Sequence, residues 1–266
     1  MPACKSSLQT AATTSSVDAS TRLASQQVVF CDFDGPIVDV SERYYQTYRR
    51  GLVVVELLCR QEGATSTLTP LCKEQFWAKK QNRVPDREIA LCSGVPDEWF
   101  ELFMNQVEKI VNHSSLLRWD CIQPSAREAL VHFKRANMRT VLVTLRQPRQ
   151  VAAFLQSQGL THLVDDIYGA SSVKAAYQNR VVHKCELLAE AIAQQTNQGY
   201  TTQNSWMVGD TEADVIAAKQ MGLPSAALSC GVRSADYLKA LEPTSLHDGL
   251  LSAAQTVVNN QQLQAA

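Results

Sequence analysis

Four carboxylates in two short motifs carry the chemistry of this chain. Asp32 and Asp34 follow the apolar run Val28-Val29-Phe30, and Asp210 and Asp214 follow Trp206-Met207-Val208. Each motif puts its acids where a β-strand ends, and in an open α/β sheet ligands bind in the crevice outside the carboxyl ends of the strands. Two such strands side by side bring four acids into one crevice. Unit charges about 4 Å apart interact by roughly 4 kcal/mol at an effective dielectric near 20, so the cluster calls for a divalent cation. The all-oxygen ligand set Asp32, Asp34, Asp210 and Asp214 suits Mg²⁺.

Apolar periodicity predicts the elements that hold these acids. Val28 to Cys31 reads as a first strand and Thr140 to Val143 as a second, with a helix from Ser125 to Ala136 before it whose Ala129, Leu130 and Phe133 share a face. A helix over about 150–158 stops at Gly159, and Asp166-Ile167-Tyr168 makes a third short strand. A helix over 185–193, the strand Trp206 to Val208, a helix over 214–221 closed by Gly222 and Pro224, a strand at 226–228 and a helix ending at Leu241 follow. This alternation predicts an α/β fold with a Rossmann-like parallel-sheet core. Between 44 and 123 the rhythm stops, and helical windows such as Tyr45 to Arg60 and Glu98 to Asn112 predict an inserted α-helical subdomain. The expected division is a tail over 1–27, a core of 28–43 and 124–254, a helical insert over 44–123, and a polar segment over 255–266 that frays.

Composition excludes several partners. At 266 residues, 45% apolar and 19% charged, the chain can bury a full core. Its net charge of -1 comes without a basic stripe or block, which argues against nucleic acid. No apolar run approaches the roughly 18 residues of a membrane span. The eight cysteines form no C-x-x-C pair and no zinc spacing, and no secretory signal precedes them, so reduced thiols in a cytoplasmic protein are expected. The Ser-, Thr- and Ala-rich start holds Lys5 and Arg22 against Asp18; it reads as a disordered tail, with an organelle transit peptide as the sharper alternative.

With these residues placed, the chain resembles the haloacid dehalogenase-like hydrolase superfamily, in particular its phosphatases with a helical cap inserted after the first motif. The resemblance runs from Val28 to about Leu250, and its overall pattern is most similar to phosphoglycolate phosphatase-type enzymes. It implies Asp32 as nucleophile and Asp34 as general acid/base, Thr144 at the end of the second strand, a lysine at a helix start, and Asp210 and Asp214 around Mg²⁺. Lys184 matches the lysine best because it opens an apolar-faced helix, with Lys174 as competitor. The implied chemistry is hydrolysis of a small-molecule phosphomonoester by a monomer or homodimer. Asp32 attacks phosphorus, Asp34 moves the leaving-group and water protons, and Lys184, Thr144 and the backbone around Gly35 hold phosphate oxygens.

Two departures stand out. Pro36 replaces a frequent threonine and removes an N–H near the phosphate region, and Arg146 stands where small or polar residues are common. Arg146 is therefore a candidate substrate-binding residue for an acidic compound, with Asp39 and Arg43 at the mouth of the site. In the cap, Trp77, Lys79, Lys80, Arg83 and Arg87 offer contacts to polar or anionic groups. Asp34 argues against a dehalogenase, which lacks that acid. A sugar-phosphate mutase and a non-catalytic binding or regulatory protein of the same fold remain alternatives.

Overall fold

The computed structural model describes residues 26–63 and 68–265. The expectations for 1–25 therefore lie outside the described residues. Six parallel strands form the main sheet: β1 (Gln27–Cys31), β4 (Arg139–Thr144), β5 (Asp166–Gly169), β6 (Thr201–Gly209), β7 (Ser225–Leu228) and β8 (Ser245–His247), in the order β5-β4-β1-β6-β7-β8. After β1 the chain builds outwards to β4 and β5, then returns to β6 beside β1 and builds the other way. The carboxyl ends of β4, β1 and β6 thus lie side by side at the point where strand order reverses, the usual ligand crevice of an open sheet.

Both faces of β1 are buried, as parallel sheets require. Val29 and Cys31 pack on one face with Leu142, Val208 and Phe133. Val28 and Phe30 pack on the other with Val141, Val143, Met207 and Leu188.

The insert is helical as expected. It contains α1 (Ser41–Gln61), α2 (Lys73–Gln81), α3 (Asp86–Cys92), α4 (Phe100–Ile110) and the short α5 (Ser114–Leu117). Tyr44, Tyr48, Leu52, Val55 and Cys59 recur at helical spacing along α1 and are buried with Phe76, Ile89, Phe103 and Val107, and the Tyr48 and Phe76 rings stack 4.7 Å apart. The two chain crossings between insert and core pair as an antiparallel ribbon of β2 (Val38–Asp39) and β3 (Cys121–Ile122), which periodicity did not predict because each strand has two residues.

The core helices are α6 (Ala126–Arg135), α7 (Pro148–Ser157), α8 (Ala175–Gln178), α9 (Val181–Asn197), α10 (Glu212–Gln220), α11 (Ala235–Lys239) and α12 (Leu250–Ala265). The last corrects the expectation of a fraying C-terminal segment. Leu250, Ala253, Ala254, Val257 and Val258 are buried in the core that contains Phe133 of α6, and their spacing is that of one helical stripe. Likewise Gln27 belongs to β1 and not to a tail.

Candidate active site

Asp32 leaves the end of β1 with its N–H donated to the Val208 carbonyl at 2.8 Å, so the first motif is tied to β6 at once. Asp210 and Asp214 follow the end of β6. These three carboxylates come together, with one oxygen of each within 4.8 Å of the others, and all three are buried. They are the one group of this kind among the described residues, and no histidine joins them.

Lys184 enters this trio from α9. Its Nζ lies 3.0 Å from Asp32 Oδ2 and 2.8 Å from Asp214 Oδ1, and donates to the Val143 carbonyl at 3.0 Å. An ammonium has three donors and no acceptor, so all three protons are directed. Burial would lower its pKa, but Asp214 and Asp32 outweigh that and hold it above its ordinary value. Lys174, the competing residue, is 46% exposed and pairs with Glu108 at 3.1 Å, away from the trio.

Asp214 also serves its helix. Its Oδ2 accepts from the Thr211 N–H at 3.0 Å and the Thr211 hydroxyl at 2.8 Å, a capping box at the start of α10. The helix cap fixes one carboxylate oxygen and leaves Oδ1 facing Lys184.

Charge explains the pKa pattern. Burial pushes the Asp32 carboxyl up to about 7, Asp214 adds to the rise, and Lys184 opposes it. Burial drives Asp210 well above the usual carboxylate range, with Asp32 and Asp214 adding to it. Asp210 Oδ2 accepts the Val232 N–H at 2.6 Å, while its Oδ1 is buried with no hydrogen-bond partner. Fully ionised, the three carboxylates against one lysine would leave two negative charges, which a divalent cation would balance in place of protons. The orphaned oxygen and the all-oxygen donor set fit Mg²⁺.

Backbone packs closely around Asp210. A Cβ on Gly35 would lie 2.1 Å from the Asp210 carboxyl carbon, and one on Gly231 would lie 2.0 Å from its Oδ2. Gly35 also has φ +100°, in the left-handed region. This corrects the expectation that Gly35 binds substrate through its backbone, since its N–H already donates to the Val38 carbonyl at 2.9 Å.

Asp34 stands apart from the trio. Its Oδ2 accepts from Arg43 at 2.9 Å and its Oδ1 from Arg146 at 3.0 Å, and both guanidiniums also pair with Asp120, Arg43 Nε at 2.8 Å from its Oδ1. Two acids and two arginines close a ring that is electrically neutral, the condition under which charges can be buried together. Burial would raise the Asp34 pKa, but Arg146 and Arg43 outweigh it and hold it below its ordinary value, whereas burial dominates at Asp120 and raises it. The structure therefore corrects three expectations. The Asp34 carboxylate is engaged by arginines and does not join the metal-type cluster. Arg146 is 2% exposed and Arg43 fully buried, so neither offers a free charge at the mouth of the site. Asp39 accepts the Ser41 N–H at 2.8 Å at the start of α1.

Residues 26–222 match the family described as haloacid dehalogenase-like hydrolases. The chain belongs to this family. Among its relatives, a phosphoglycolate phosphatase of Vibrio vulnificus is 26% identical over 161 residues, which is 60% of this chain and 64% of that protein, so the match spans less than two thirds of the relative's length. Among solved structures, a haloacid dehalogenase-like hydrolase from Streptococcus pneumoniae superposes with a TM-score of 0.61 at 18% identity, covering 87% of this chain and 98% of that one. A protein described as a predicted phosphoglycolate phosphatase from Haemophilus somnus gives 0.60 at 16% identity, covering 87% and 97%. These two likenesses establish the fold.

In this haloacid dehalogenase-like hydrolase the insert closes over the crevice. A cavity of about 50 Å³ remains, walled by Asp32, Asp34, Thr144 and Tyr177 of the core and by Tyr44, Lys80 and Arg83 of the insert. Thr144, at the end of β4, is buried and accepts the Arg146 N–H through its hydroxyl at 3.2 Å. Lys80 pairs with Asp86 at 2.8 Å and lies 4.8 Å from the centre of the Tyr177 ring. Of the other cap residues that the sequence suggested, Arg87 pairs with Asp97 and lies outside the cavity wall. Asp120, Glu212 and Arg233 had no functional reading in the sequence. Glu212 stands inside the second acidic motif, a signal that could have singled it out.

Proposed function

We propose that this chain is a Mg²⁺-dependent phosphatase that hydrolyses a compact phosphomonoester through an aspartyl-phosphate on Asp32, with a phosphoglycolate-like compound as substrate. The observation that carries this reading is the convergence of Asp32, Asp210 and Asp214 around Lys184, with the Asp210 Oδ1 left without a partner. The phosphatase relative supports it.

Phosphate monoesters are among the slowest substrates to hydrolyse in water, so the site must supply a nucleophile and neutralise charge. Asp32 supplies the first as a buried carboxylate aimed at the cavity floor. Lys184 holds one Asp32 oxygen and leaves the other to attack, while the Phe33 N–H donates to Asp32 Oδ1 at 2.7 Å and fixes the plane of the group. The Thr144 hydroxyl, on the cavity wall, donates to a phosphate oxygen. Mg²⁺, held by Asp32, Asp210 and Asp214, would neutralise charge on the phosphoryl oxygens when bound.

Asp34 lies on the same wall, reaching it past Arg43 and Arg146. With its pKa held low it stays ionised and able to accept a hydrogen bond from the water that attacks the phosphorylated Asp32, though the arginines make it a weaker base. Protonating the leaving alcohol first requires it to acquire a proton against two arginines, which favours substrates whose alcohol leaves easily.

The cavity volume selects substrate size. Typical small-molecule pockets measure about 300–1,000 Å³, far more than this one holds with the cap closed. Arg233 on its wall shares the single Glu212 carboxylate with Arg83, and the one positive charge left over favours a second anionic group beside the phosphate.

The test is phosphate release from a panel of small phosphomonoesters, phosphoglycolate included, with and without Mg²⁺ and with Asp32→Asn as control. Mg²⁺-dependent release that the variant lacks is expected. Interconversion of sugar phosphates without net release would instead identify a mutase, and no turnover at all a binding protein.

A further inference from the structure

Arg83 occupies a backbone position that suits another residue. It follows Asn82, the C-terminal cap of α2, with φ +58°. Helices commonly end on a residue in this left-handed conformation, and that residue is usually glycine. An arginine held there indicates a constraint from elsewhere.

That constraint is a contact across the closed cleft. Arg83 Nε donates to Glu212 Oε1 at 2.9 Å. Glu212 lies between the two acids of the second motif, and Arg233 grips it from the other side with Nε to Oε2 at 2.7 Å and Nη2 to Oε1 at 3.0 Å. The turn that carries Arg83 is also tied to the loop that carries Arg233. The Ser234 N–H donates to the Gln81 carbonyl at 2.9 Å, Gln81 Nε2 to the Gly231 carbonyl at 3.1 Å, and Arg233 Nη1 to the Lys80 carbonyl at 3.3 Å. Between Gly231 and Arg233, the Val232 N–H holds Asp210 Oδ2.

We infer that Arg83 is a positioning residue that latches the cap to the loop seating Asp210, so that closing the cap and fixing Asp210 are one event. The inference goes beyond the phosphatase reading and rests on it for its kinetic readout. Arg83 touches Glu212 from the cap, Glu212 orients Arg233, and the Arg233 loop presents the Val232 amide to Asp210. With the cap open, that loop loses its ties to the cap turn and Asp210 loses the backing of its amide partner.

Three variants of the full chain separate this from a substrate contact and from a purely structural role. Arg83→Ala removes the side chain and keeps the backbone strain, Arg83→Gly removes both, and Arg83→Lys keeps the charge. The Ala and Gly variants are expected to lower kcat/KM by about twofold to fivefold, the range of a partly exposed ion pair, by the same factor on every phosphomonoester. Arg83→Lys recovers part of this. Arg83→Gly should melt about 2–4 °C above Arg83→Ala, because glycine relieves the left-handed strain. In Arg83→Gly, hydrogen exchange at the Val232 amide should speed up. A loss confined to substrates with a second anionic group would make Arg83 a substrate contact and overturn the latch, as would unchanged exchange at Val232. If the wild type releases phosphate from no compound, the phosphatase reading fails while the exchange result still decides the latch.

Discussion

Arg43 and Arg146 hold opposite oxygens of one carboxylate, Asp34, at 2.9 and 3.0 Å, although one begins the cap and the other lies in the loop after a core strand. Both also hold Asp120. The candidate acid/base is thereby locked into a neutral, buried ring.

Breaking that ring is expected to be costly. Arg146→Ala strands Asp34 and Asp120 with one cation between them, and removing one partner of a buried pair typically destabilises by about 3–5 kcal/mol. Urea denaturation reads the change, and a loss under about 1 kcal/mol would mean that the ring contributes no more than a surface pair. Any active Arg146→Ala enzyme should show its Asp34-dependent pH limb displaced to higher pH, because the arginines hold that pKa down.

The two lysines part company by function. Lys184→Met removes the cation that pairs with Asp32 and Asp214, and kcat should fall by about 10²–10³, the usual loss for one preorganised charge-stabilising donor. Lys174→Met removes an exposed pair and should leave kcat within about twofold and stability within about 0.5 kcal/mol. Comparable losses in both would dissolve the assignment.

Metal binding should release protons. Asp32, raised to about 7, and Asp210, raised well above the usual carboxylate range, are protonated more in the folded protein than in the unfolded chain, where carboxyls titrate near their ordinary values. A raised carboxyl pKa means that the folded state loses stability as pH rises from the unfolded pKa through the folded one. Without metal, melting temperature should therefore fall between about pH 4 and pH 7 on account of Asp32, with Asp210 acting in the same direction. Mg²⁺ must displace the protons, so its affinity should rise over the same window. Calorimetry in two buffers of different ionisation enthalpy measures the displaced protons; identical apparent heats would rule out the exchange.

Gly35→Ala should abolish metal-dependent stabilisation. A methyl group 2.1 Å from the Asp210 carboxyl carbon cannot be accommodated, and φ +100° adds strain of about 1–3 kcal/mol. Melting curves with and without Mg²⁺ should coincide in the variant and diverge in the wild type.

Leu250→Ala tests the C-terminal helix. Leu250 is 1% exposed, and such a truncation typically destabilises by about 2–5 kcal/mol. A change under about 0.5 kcal/mol would mean that the start of this helix is not packed into the core.

The central strands β1 and β4 and the end of β6 were legible in the sequence because they are buried on both faces and read as apolar runs, each followed or closed by a chemically distinctive residue: Asp32, Thr144, Asp210; the edge strand β8, Ser245-Leu246-His247 with no residue buried, carries no such run and was not. Lys184 was legible through the apolar stripe of its helix. The Asp34 ring was not, because nothing local pairs Arg43 with Asp120 or Arg146 with either acid; the partners meet only when the ribbon of β2 and β3 closes. The C-terminal helix was missed for a simpler reason. Its stripe begins at Leu250, and a boundary drawn at Gln255 cut it in two, leaving only Gln- and Asn-rich remainder on view.

The β2–β3 ribbon makes the cap a lever. Points near a pivot translate little when an arm swings, and points at its tip translate most. Arg43 sits just past the ribbon on one crossing and Asp120 just before it on the other, whereas Arg83 belongs to the turn after α2, well along the arm. A swing large enough to part Arg83 from Glu212 leaves Arg43 almost where it was. Asp34, the candidate acid/base, would stay set at the fulcrum while the entrance opens, so that only the end of the site the substrate passes through would need reassembling.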